Sequence, residues 1–494
     1  MLEDIIKNKL SKLDNIRSFG MEPYPEKTGK SISNGEALEK LETLSDKEII
    51  LAGRVRSLRP MGGSAFAHIE DESGKIQLFL NKKNIEESKF KLFISNIEVG
   101  DFVEAKGKLF KTKQDEKTLQ VSDWKILSKI IRPVPTEYYG IKDQEDLLRK
   151  RYLDLMLNPE TRELFRKKNI FWQTIRSFLL AEKFLEVQTP VLEHIPGGAE
   201  AEPFVTHYNA LDEDLYLRIS LELALKRLLV GGYEKVFEIG RVFRNEGMDR
   251  DHLQEFDFME FYASYWDLQK GIEFTEKLYK EIVLKVLGGY EHGYDHVKSA
   301  DADHVAGGYK INWEKEFPKV DYFDAFQKAV GIDLGQEVSV DELQKKATEL
   351  KIKFEKTAGK GRLIDLIYKK TIRPNLIQPC FLVGHPIEVS PLAKIDPKNP
   401  KKVLRFQIVA GGSELCNAFA ELNDPIDQRE RFEAQAKLRE AGDAEAQMMD
   451  GDFVEALEYG MPPAFGFGMS ERFFAFLQNK SIRETIIFPP MKTK

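Results

Sequence analysis

Residues 235–264 read KVFEIGRVFRNEGMDRDHLQEFDFMEFYAS. Two strand-like runs, Lys235 to Phe243 and Phe256 to Ser264, enclose a polar, charged stretch, which predicts an antiparallel hairpin. The first run ends in Arg241-Val-Phe-Arg244-Asn-Glu246-Gly. A strand end can hold an arginine rigidly against a phosphate, where its planar fork makes paired charge-assisted hydrogen bonds. A strand arginine paired with a neighbouring glutamate is the plainer alternative, and this stretch alone leaves both open.

Outward from the hairpin, strand-like runs at Phe381 to Val383 and Val403 to Ala410 are interspersed with helical patterns such as Arg162 to Glu182 and Asp427 to Ala441. That mixture predicts an α+β domain. Near the C-terminus Gly466-Phe-Gly468-Met-Ser-Glu-Arg472 leads into the apolar run Phe473 to Leu477. Glycines and an arginine are thus expected at a helix start, where the backbone can approach a ligand closely. Between about Tyr322 and Lys370 a mostly charged helical pattern suggests an inserted subdomain.

Pro133 and Pro135 disfavour a helix or central strand and mark a linker before the helical pattern near Asp143. Ahead of it lie five short alternating segments: Ile49 to Arg56, Ala65 to Glu70, Ile76 to Leu80, Phe102 to Phe110 and Thr118 to Leu127. Gly62-Gly63, Ser73-Gly74 and Val99-Gly100-Asp101 supply turns. Five strands within ~80 residues predict a small OB-fold barrel of the kind that binds oligonucleotides, with a plain sandwich as the alternative. Leu2, Ile5, Ile6, Leu10, Leu13 and Ile16 recur at helical spacing until Gly20, Pro23 and Pro25, predicting an amphipathic helix packed against a neighbouring domain. The expected boundaries are therefore a helical extension at 1–45, a barrel at 46–135, and the larger domain at 136–494 with its insertion at about 322–370.

The 494 residues exceed the ~250 to 300 at which single cores stop growing, so two or more domains are expected. Hydrophobic residues at 42% and charged residues at 31% place the chain with soluble globular proteins. A net charge of -7 means that any polyanion must be gripped by local patches. Cys380 and Cys416 form no C-x-x-C pair, which argues against a disulfide framework or structural zinc. Glu3, Asp4, Lys7 and Lys9 interrupt the first residues, and no run reaches the ~18 apolar residues of a membrane span, so a cytoplasmic protein without a membrane partner is expected.

The hairpin and the Gly466 to Arg472 segment, with Phe184-Leu-Glu-Val-Gln-Thr-Pro190 upstream, resemble motifs two, three and one of class II aminoacyl-tRNA synthetases, in the family's order. Arg149-Lys-Arg-Tyr-Leu-Asp-Leu155, Ile195-Pro-Gly-Gly198-Ala, Tyr216-Leu-Arg-Ile-Ser-Leu-Glu222, Gly384-His-Pro-Ile-Glu-Val-Ser-Pro-Leu392, Phe419-Ala-Glu421-Leu-Asn423-Asp-Pro and the barrel's Gly107-Lys-Leu-Phe-Lys-Thr-Lys113 are similar to the lysyl branch. The resemblance implies an OB anticodon-binding domain, a catalytic antiparallel sheet flanked by helices, and a homodimer whose interface uses the segment ending at Pro190. ATP, L-lysine, Mg²⁺ and tRNA(Lys) are the implied partners, with RNA rather than DNA as the polyanion.

Carried over residue by residue, the resemblance implies that Arg244 holds the lysine carboxylate and the ATP α-phosphate, while Arg472 contacts the γ-phosphate and flanks the adenine. Phe256 would stack on the adenine, Glu246 and His252 would help bind ATP, and Glu414 would bind magnesium. Gly198 and Glu222 would receive the α-ammonium, and Glu260, Tyr262, Asn417, Phe419 and Glu421 would form the side-chain pocket. Desolvated carboxylates are costly unless paired, so Glu260 and Glu421 favour an incoming cation. Each acid also has a bland role, since Glu222 could pair with Arg218 or Lys226, and Glu421 with a core arginine. In the barrel Arg59, Phe66, Gln77 and Phe79 sit where anticodon contacts are implied. Barrel core is the alternative for both phenylalanines.

The chain departs from the family pattern at Gln407, where a second metal-binding acid is usual, and at Leu253-Gln254, Ser413, Cys416 and Glu471. These bear on the magnesium count and the loop conformation. A catalytically silent tRNA-binding paralogue and an aspartyl or asparaginyl ligase remain alternative readings. His292, His296 and His304 with Asp295, Asp301 and Asp303 match no zinc spacing and read as a solvated connection.

Overall fold

The computed structural model describes residues 2–135, 143–247, 249, 252–294, 308–355, 358–440 and 446–493. The chain divides into two compact units, 1–142 and 143–494. In the first, strands β1 (Glu48–Met61), β2 (Ser64–Glu70), β3 (Lys75–Asn81), β4 (Phe102–Lys111) and β5 (Lys117–Ser128) close into a barrel in the order β1-β2-β3-β5-β4. Period-two alternation sorts the side chains. Ala65, Ala67, Ile69, Ile76, Leu78 and Leu80 fill the interior, and Phe66, His68 and Phe79 lie half-buried on the outer face. Gly107 stands at a register shift, where a Cβ would collide with the main chain at Gln120, so only glycine lets β4 close onto β5 there.

A helix that the alternating pattern did not reveal, Glu87–Asn96, packs against the barrel through Phe90 and Phe93, with Phe93 edge-on to Trp124 at 4.9 Å between centroids. The N-terminal helix, Leu2–Ser18, lies against it, with Asn15 Nδ2 donating to Asn96 Oδ1 at 3.1 Å. Only the later part of the expected apolar stripe is buried. Leu13 and Ile16 are covered and Lys9 pairs with Glu98 at 3.1 Å, whereas Leu2, Ile5 and Leu10 stay exposed.

The second unit adds β6 (Leu185–Glu186), β7 (Leu192–Glu193), β8 (Val205–Tyr208), β9 (Glu213–Leu217), β10 (Lys235–Phe243), β11 (Glu255–Ser264), β12 (Glu291–Tyr294), β13 (Tyr309–Asn312), β14 (Lys319–Asp321), β15 (Cys380–Val383), β16 (Ile395–Asp396), β17 (Asn399–Val403), β18 (Arg405–Ala410), β19 (Ser413–Glu414), β20 (Asn417–Ala420) and β21 (Ala464–Ser470). The main sheet runs β14-β15-β18-β20-β21-β11-β10-β6, with β19 paired to β18. Its central pairings, from β15 to β10, are antiparallel, and those at its two ends are parallel.

Helices Pro159–Ala181 and Leu268–Leu287 cover one sheet face. Phe171, Ile175, Phe274, Leu278, Phe261 and Phe467 form the core between them, which makes that face a rigid wall. The predicted hairpin is β10–β11, in register from Lys235↔Ala263 to Phe243↔Glu255. Helices Tyr322–Val330, Val340–Glu349 and Lys360–Thr371 gather their own apolar core against Cys380, Leu382 and Val409. His296, His304, Asp295, Asp301 and Asp303 lie outside the described residues. His292 accepts a hydrogen bond from Trp313 Nε1 at Nδ1, 3.2 Å, and burial pulls its imidazole down to about 4, so it is a neutral packing residue.

Candidate active site

Opposite the helix-covered face, strand alternation turns Phe256, Phe258, Glu260 and Tyr262 of β11 towards a hollow, while Met259, Phe261 and Ala263 face the core. Register carries the same face across three strands. Glu260 aligns with Gly468 and then Asn417, and Tyr262 with Gly466 and then Phe419. The two glycines therefore form a floor of bare main chain between the walls. A Cβ at Gly466 would collide with Glu421 and Tyr262. The sequence placed these glycines at a helix start; they lie inside β21, and only Arg472 opens the helix Arg472–Leu477.

Three carboxylates converge here, each nearly inaccessible: Glu222 at the start of the helix Glu222–Val230, Glu260, and Glu421 just beyond β20. Glu260 Oε1 accepts from Ser220 Oγ at 2.6 Å and Leu221 N at 3.0 Å, and Oε2 accepts from Tyr262 OH at 2.7 Å. Gly198, at φ +85°, packs so closely that a Cβ would lie 2.8 Å from the Glu222 Cβ. Asn417 Oδ1 accepts from Arg405 Nε at 2.8 Å, which orients its amide.

The bland alternative for Glu222 also holds. Lys226, one turn on, is fully buried, and its Nζ touches both Glu222 and Glu421; the Glu421 contact is an ion pair without hydrogen-bond alignment. Arg218 is engaged elsewhere, with Glu238 at 2.7 Å. The hollow is thus not simply acidic: two of its three carboxylates touch one internal ammonium. Burial, then the neighbouring charge of Glu222, pushes Glu260 up to about 7, and burial pushes Glu222 and Glu421 up as well. Without a further cation the site resists ionising all three acids.

Above the hollow, Arg244 Nε donates to the Ile219 carbonyl at 3.3 Å, and its guanidinium lies 5.3 Å over the Phe256 ring. Burial lowers its pKa; Glu246, Glu260 and Glu414 oppose that, while the neighbouring Arg472 reinforces it. Two neighbouring guanidinium groups in a half-buried place favour an anion between them. The plainer arginine reading belongs to Arg241, which pairs with Asp257 at 2.9 Å. His252 is exposed and bonded through Nδ1 to Asp249 Oδ2 at 2.7 Å.

Glu414 on β19 faces Val409, so it shares a sheet face with Gln407, whose Oε1 is buried without a hydrogen-bond partner. Among the described residues no group of three or more His, Cys, Asp or Glu could hold a metal ion. One carboxylate with a nearby amide oxygen fits a hard cation shared with phosphate oxygens, the usual habit of Mg²⁺.

The departures from the family pattern are absorbed by packing. The Cys416 thiol, pushed by burial to about 12, accepts from Ile408 N at 3.2 Å inside the core. Leu253 is buried against Ala475 and Ile482, and Gln254 Nε2 donates to the Glu246 carbonyl at 2.9 Å. Glu471 is fully buried, pairs with Lys168 and accepts from Asp257 N at 3.2 Å, fastening the long helix to the sheet. Ser413 Oγ meets Tyr294 OH at 3.3 Å.

On the barrel, Arg59, Phe66 and Phe79 align across β1, β2 and β3. The two rings sit 5.0 Å apart, with Phe110 at 6.2 Å from Phe79, on the outer face rather than in the core. Gln77 differs from expectation. It is buried, its Nε2 donating to Glu116 at 2.7 Å and its Oε1 accepting from Thr118 Oγ1 at 2.9 Å. Glu116, which also meets His68 Nε2 at 3.1 Å, is the more exposed polar group beside the rings; the sequence reading missed it because it precedes β5 in a charged turn.

A largely antiparallel sheet bearing two arginines over a charged hollow, on a chain that also carries an OB barrel, is the architecture of class II aminoacyl-tRNA synthetases. Residues 143–492 match the family model for tRNA synthetases class II (D, K and N), and residues 49–127 match that for the OB-fold nucleic acid binding domain. The chain is 42% identical over 495 residues to the lysine–tRNA ligase of Carboxydothermus hydrogenoformans, covering 100% of this chain and 99% of that one. It is 40% identical over 502 residues to that of Bacillus subtilis, covering 100% and 98%, and 40% identical over 505 residues to that of Thermotoga maritima, covering 100% and 97%. The chain belongs to the lysine–tRNA ligase family of class II synthetases.

Glu260 makes the electrostatics testable without substrate. Its raised carboxyl favours the protonated form, so its contribution to stability is present at low pH and is lost as pH rises through about 7. Glu260→Gln keeps the shape and removes the charge. Relative to the parent, the variant is expected to gain about 1–3 kcal/mol at pH 8.5 and little at pH 5.5. Urea unfolding at the two pH values checks this, and equal effects at both would show that Glu260 ionises freely.

Proposed function

We propose that this chain activates L-lysine with ATP and transfers it to the 3′ end of tRNA(Lys). The charge count of the hollow carries the reading. Three buried carboxylates outnumber the one ammonium that touches them, and free lysine brings two ammonium groups. Its carboxylate would then lie under Arg244. In this arrangement Gly198 and Glu222 take the α-ammonium, and Glu260, Tyr262, Asn417, Phe419 and Glu421 enclose the side chain.

ATP would sit with its adenine between Phe256 and Arg472, and with Glu246 and His252 beside it. Glu414, with Gln407 nearby, would hold Mg²⁺, which when bound neutralises phosphate charge. No general base is needed, because the lysine carboxylate is ionised at neutral pH. Its oxygen attacks the α-phosphorus, the bond to the β-phosphate oxygen breaks, and pyrophosphate leaves, giving lysyl-adenylate. The terminal ribose hydroxyl of tRNA then attacks the adenylate carbonyl and releases AMP. Arg244 and Arg472 act by holding the phosphates in line and stabilising charge in a water-poor site.

The outer face of the barrel, with Arg59, Phe66, Phe79 and Phe110 and the Glu116–Gln77 pair, suits unstacked anticodon bases. A second copy is the proposed cover for the exposed apolar side chains around Pro190, namely Leu185, Val191, Leu192 and Val205. No described helix is long and apolar enough to cross a membrane.

ATP–pyrophosphate exchange with each amino acid tests the activity. Exchange driven by lysine is expected, and Arg244→Ala should reduce it by about 10²–10³-fold. Exchange driven only by aspartate or asparagine would move the assignment to those ligases, and none with any amino acid would leave a tRNA-binding paralogue. Phe79→Ala should weaken use of tRNA by about tenfold in KM with exchange unaltered, the loss of one stacking contact; an unchanged tRNA KM would remove that role. Sedimentation equilibrium should give twice the monomer mass, reduced by Leu192→Glu, and a monomer in the parent would refute the pairing.

A further inference from the structure

Lys226 touches no substrate in the mechanism above, yet it lies between two carboxylates of the acidic cluster. Its Nζ lies between Glu222, on its own helix, and Glu421, from beyond β20, with the rings of Phe419 at 5.3 Å, Phe453 at 5.9 Å and Tyr262 at 6.0 Å. Other elements bring further charged and titratable groups to the cluster. Glu260 and Tyr262 come from β11 and Arg405 from β18, and Arg244 lies beyond β10. A lysine of no exposure, surrounded by aromatic faces and carboxylates, is a fixed cation.

We propose that Lys226 is a positioning residue that sets the charge of the amino-acid pocket, offsetting one of three carboxylates while leaving negative charge for the ammonium groups of the substrate. The inference rests on the reading of the pocket as the lysine site. With Lys226 in place, lysine supplies ammonium groups to the carboxylates that Lys226 does not offset. An amino acid with an uncharged side chain leaves one buried carboxylate unpaired, which is unfavourable in a desolvated site. Without Lys226, even lysine leaves one carboxylate unpaired, so one acid keeps its proton to higher pH. Burial drives all three acids upward already, and Lys226 is first among the charges that counter this for Glu222 and Glu421.

The test is the pH dependence of the lysine KM in ATP–pyrophosphate exchange, from pH 6 to 9, for the parent chain, Lys226→Met and the double variant Lys226→Met/Glu421→Gln. Methionine keeps the length and apolar stem of lysine. In Lys226→Met the acid limb is expected to move up by one pH unit or more, so that KM at pH 7 rises about tenfold and recovers towards pH 9, while kcat changes much less. The double variant restores the charge count, and its limb should return towards the parent position although its KM is raised throughout.

A limb in Lys226→Met that superimposes on the parent, or a double variant whose limb stays with the single variant, would overturn the inference and leave Lys226 as a packing cross-link. If Lys226→Met does not fold, the parent's own proton balance decides. Calorimetric titration of lysine in buffers of different ionisation enthalpy should show protons released at pH 6.5 and fewer at pH 8.5, and no release at either would overturn it. Absence of lysine-dependent exchange in the parent would instead defeat the functional reading itself.

Discussion

Removing charge from water is the constraint that organises this protein. Glu222, Glu260 and Glu421 reach one place from a helix start, a central strand and the end of another strand, and each is almost wholly excluded from solvent. Ionised carboxylates so placed need partners, and the protein provides some of them: Ser220, the Leu221 amide, Tyr262 and Lys226. The remainder is an unsatisfied demand for positive charge. A site so built favours a cation that completes it.

Such an arrangement requires a rigid support, since a small displacement of any carboxylate would let water or a counter-ion relieve the deficit. The support is aromatic. Behind the sheet Phe261 stacks on Phe467 at 5.1 Å and Tyr279 lies 4.4 Å from Phe473. Glu471 and Lys168 tie the sheet to the helix that covers it. Cys416 belongs to this wall, and Leu253 packs in a separate small cluster with Ala475 and Ile482.

The sequence carried the fold where local pattern and tertiary role agree. Barrel strands alternate with period two because one face is core, and β10–β11 reads as a hairpin for the same reason. The helix Glu87–Asn96 was hidden because its buried residues are few and sit in a charged run. At the candidate site the sequence named the three carboxylates and the two arginines that the structure brings together, but the partnership of Lys226 with Glu421 joins positions nearly two hundred apart, and spacing cannot report such a contact. The glycines of β21 were recognised as important and assigned the wrong reason, since whether a glycine opens a helix or bares a strand depends on neighbours that only the assembled sheet brings. Gln77 illustrates the converse: its alternation was read correctly, while the carboxylate that covers it came from a turn.

The glycine floor also constrains how this pocket can change. Main chain has nothing to trim, so no substitution at residues 466 or 468 can deepen the site, and a single methyl at residue 466 would press on Glu421 and Tyr262. Room for a larger group would come from the aromatic walls, Tyr262 and Phe419, one of which also hydrogen-bonds Glu260. Enlargement along that route would loosen a carboxylate as it widened the space, whereas contraction would need one mutation. Evolution and engineering alike would therefore find this site easier to narrow than to broaden.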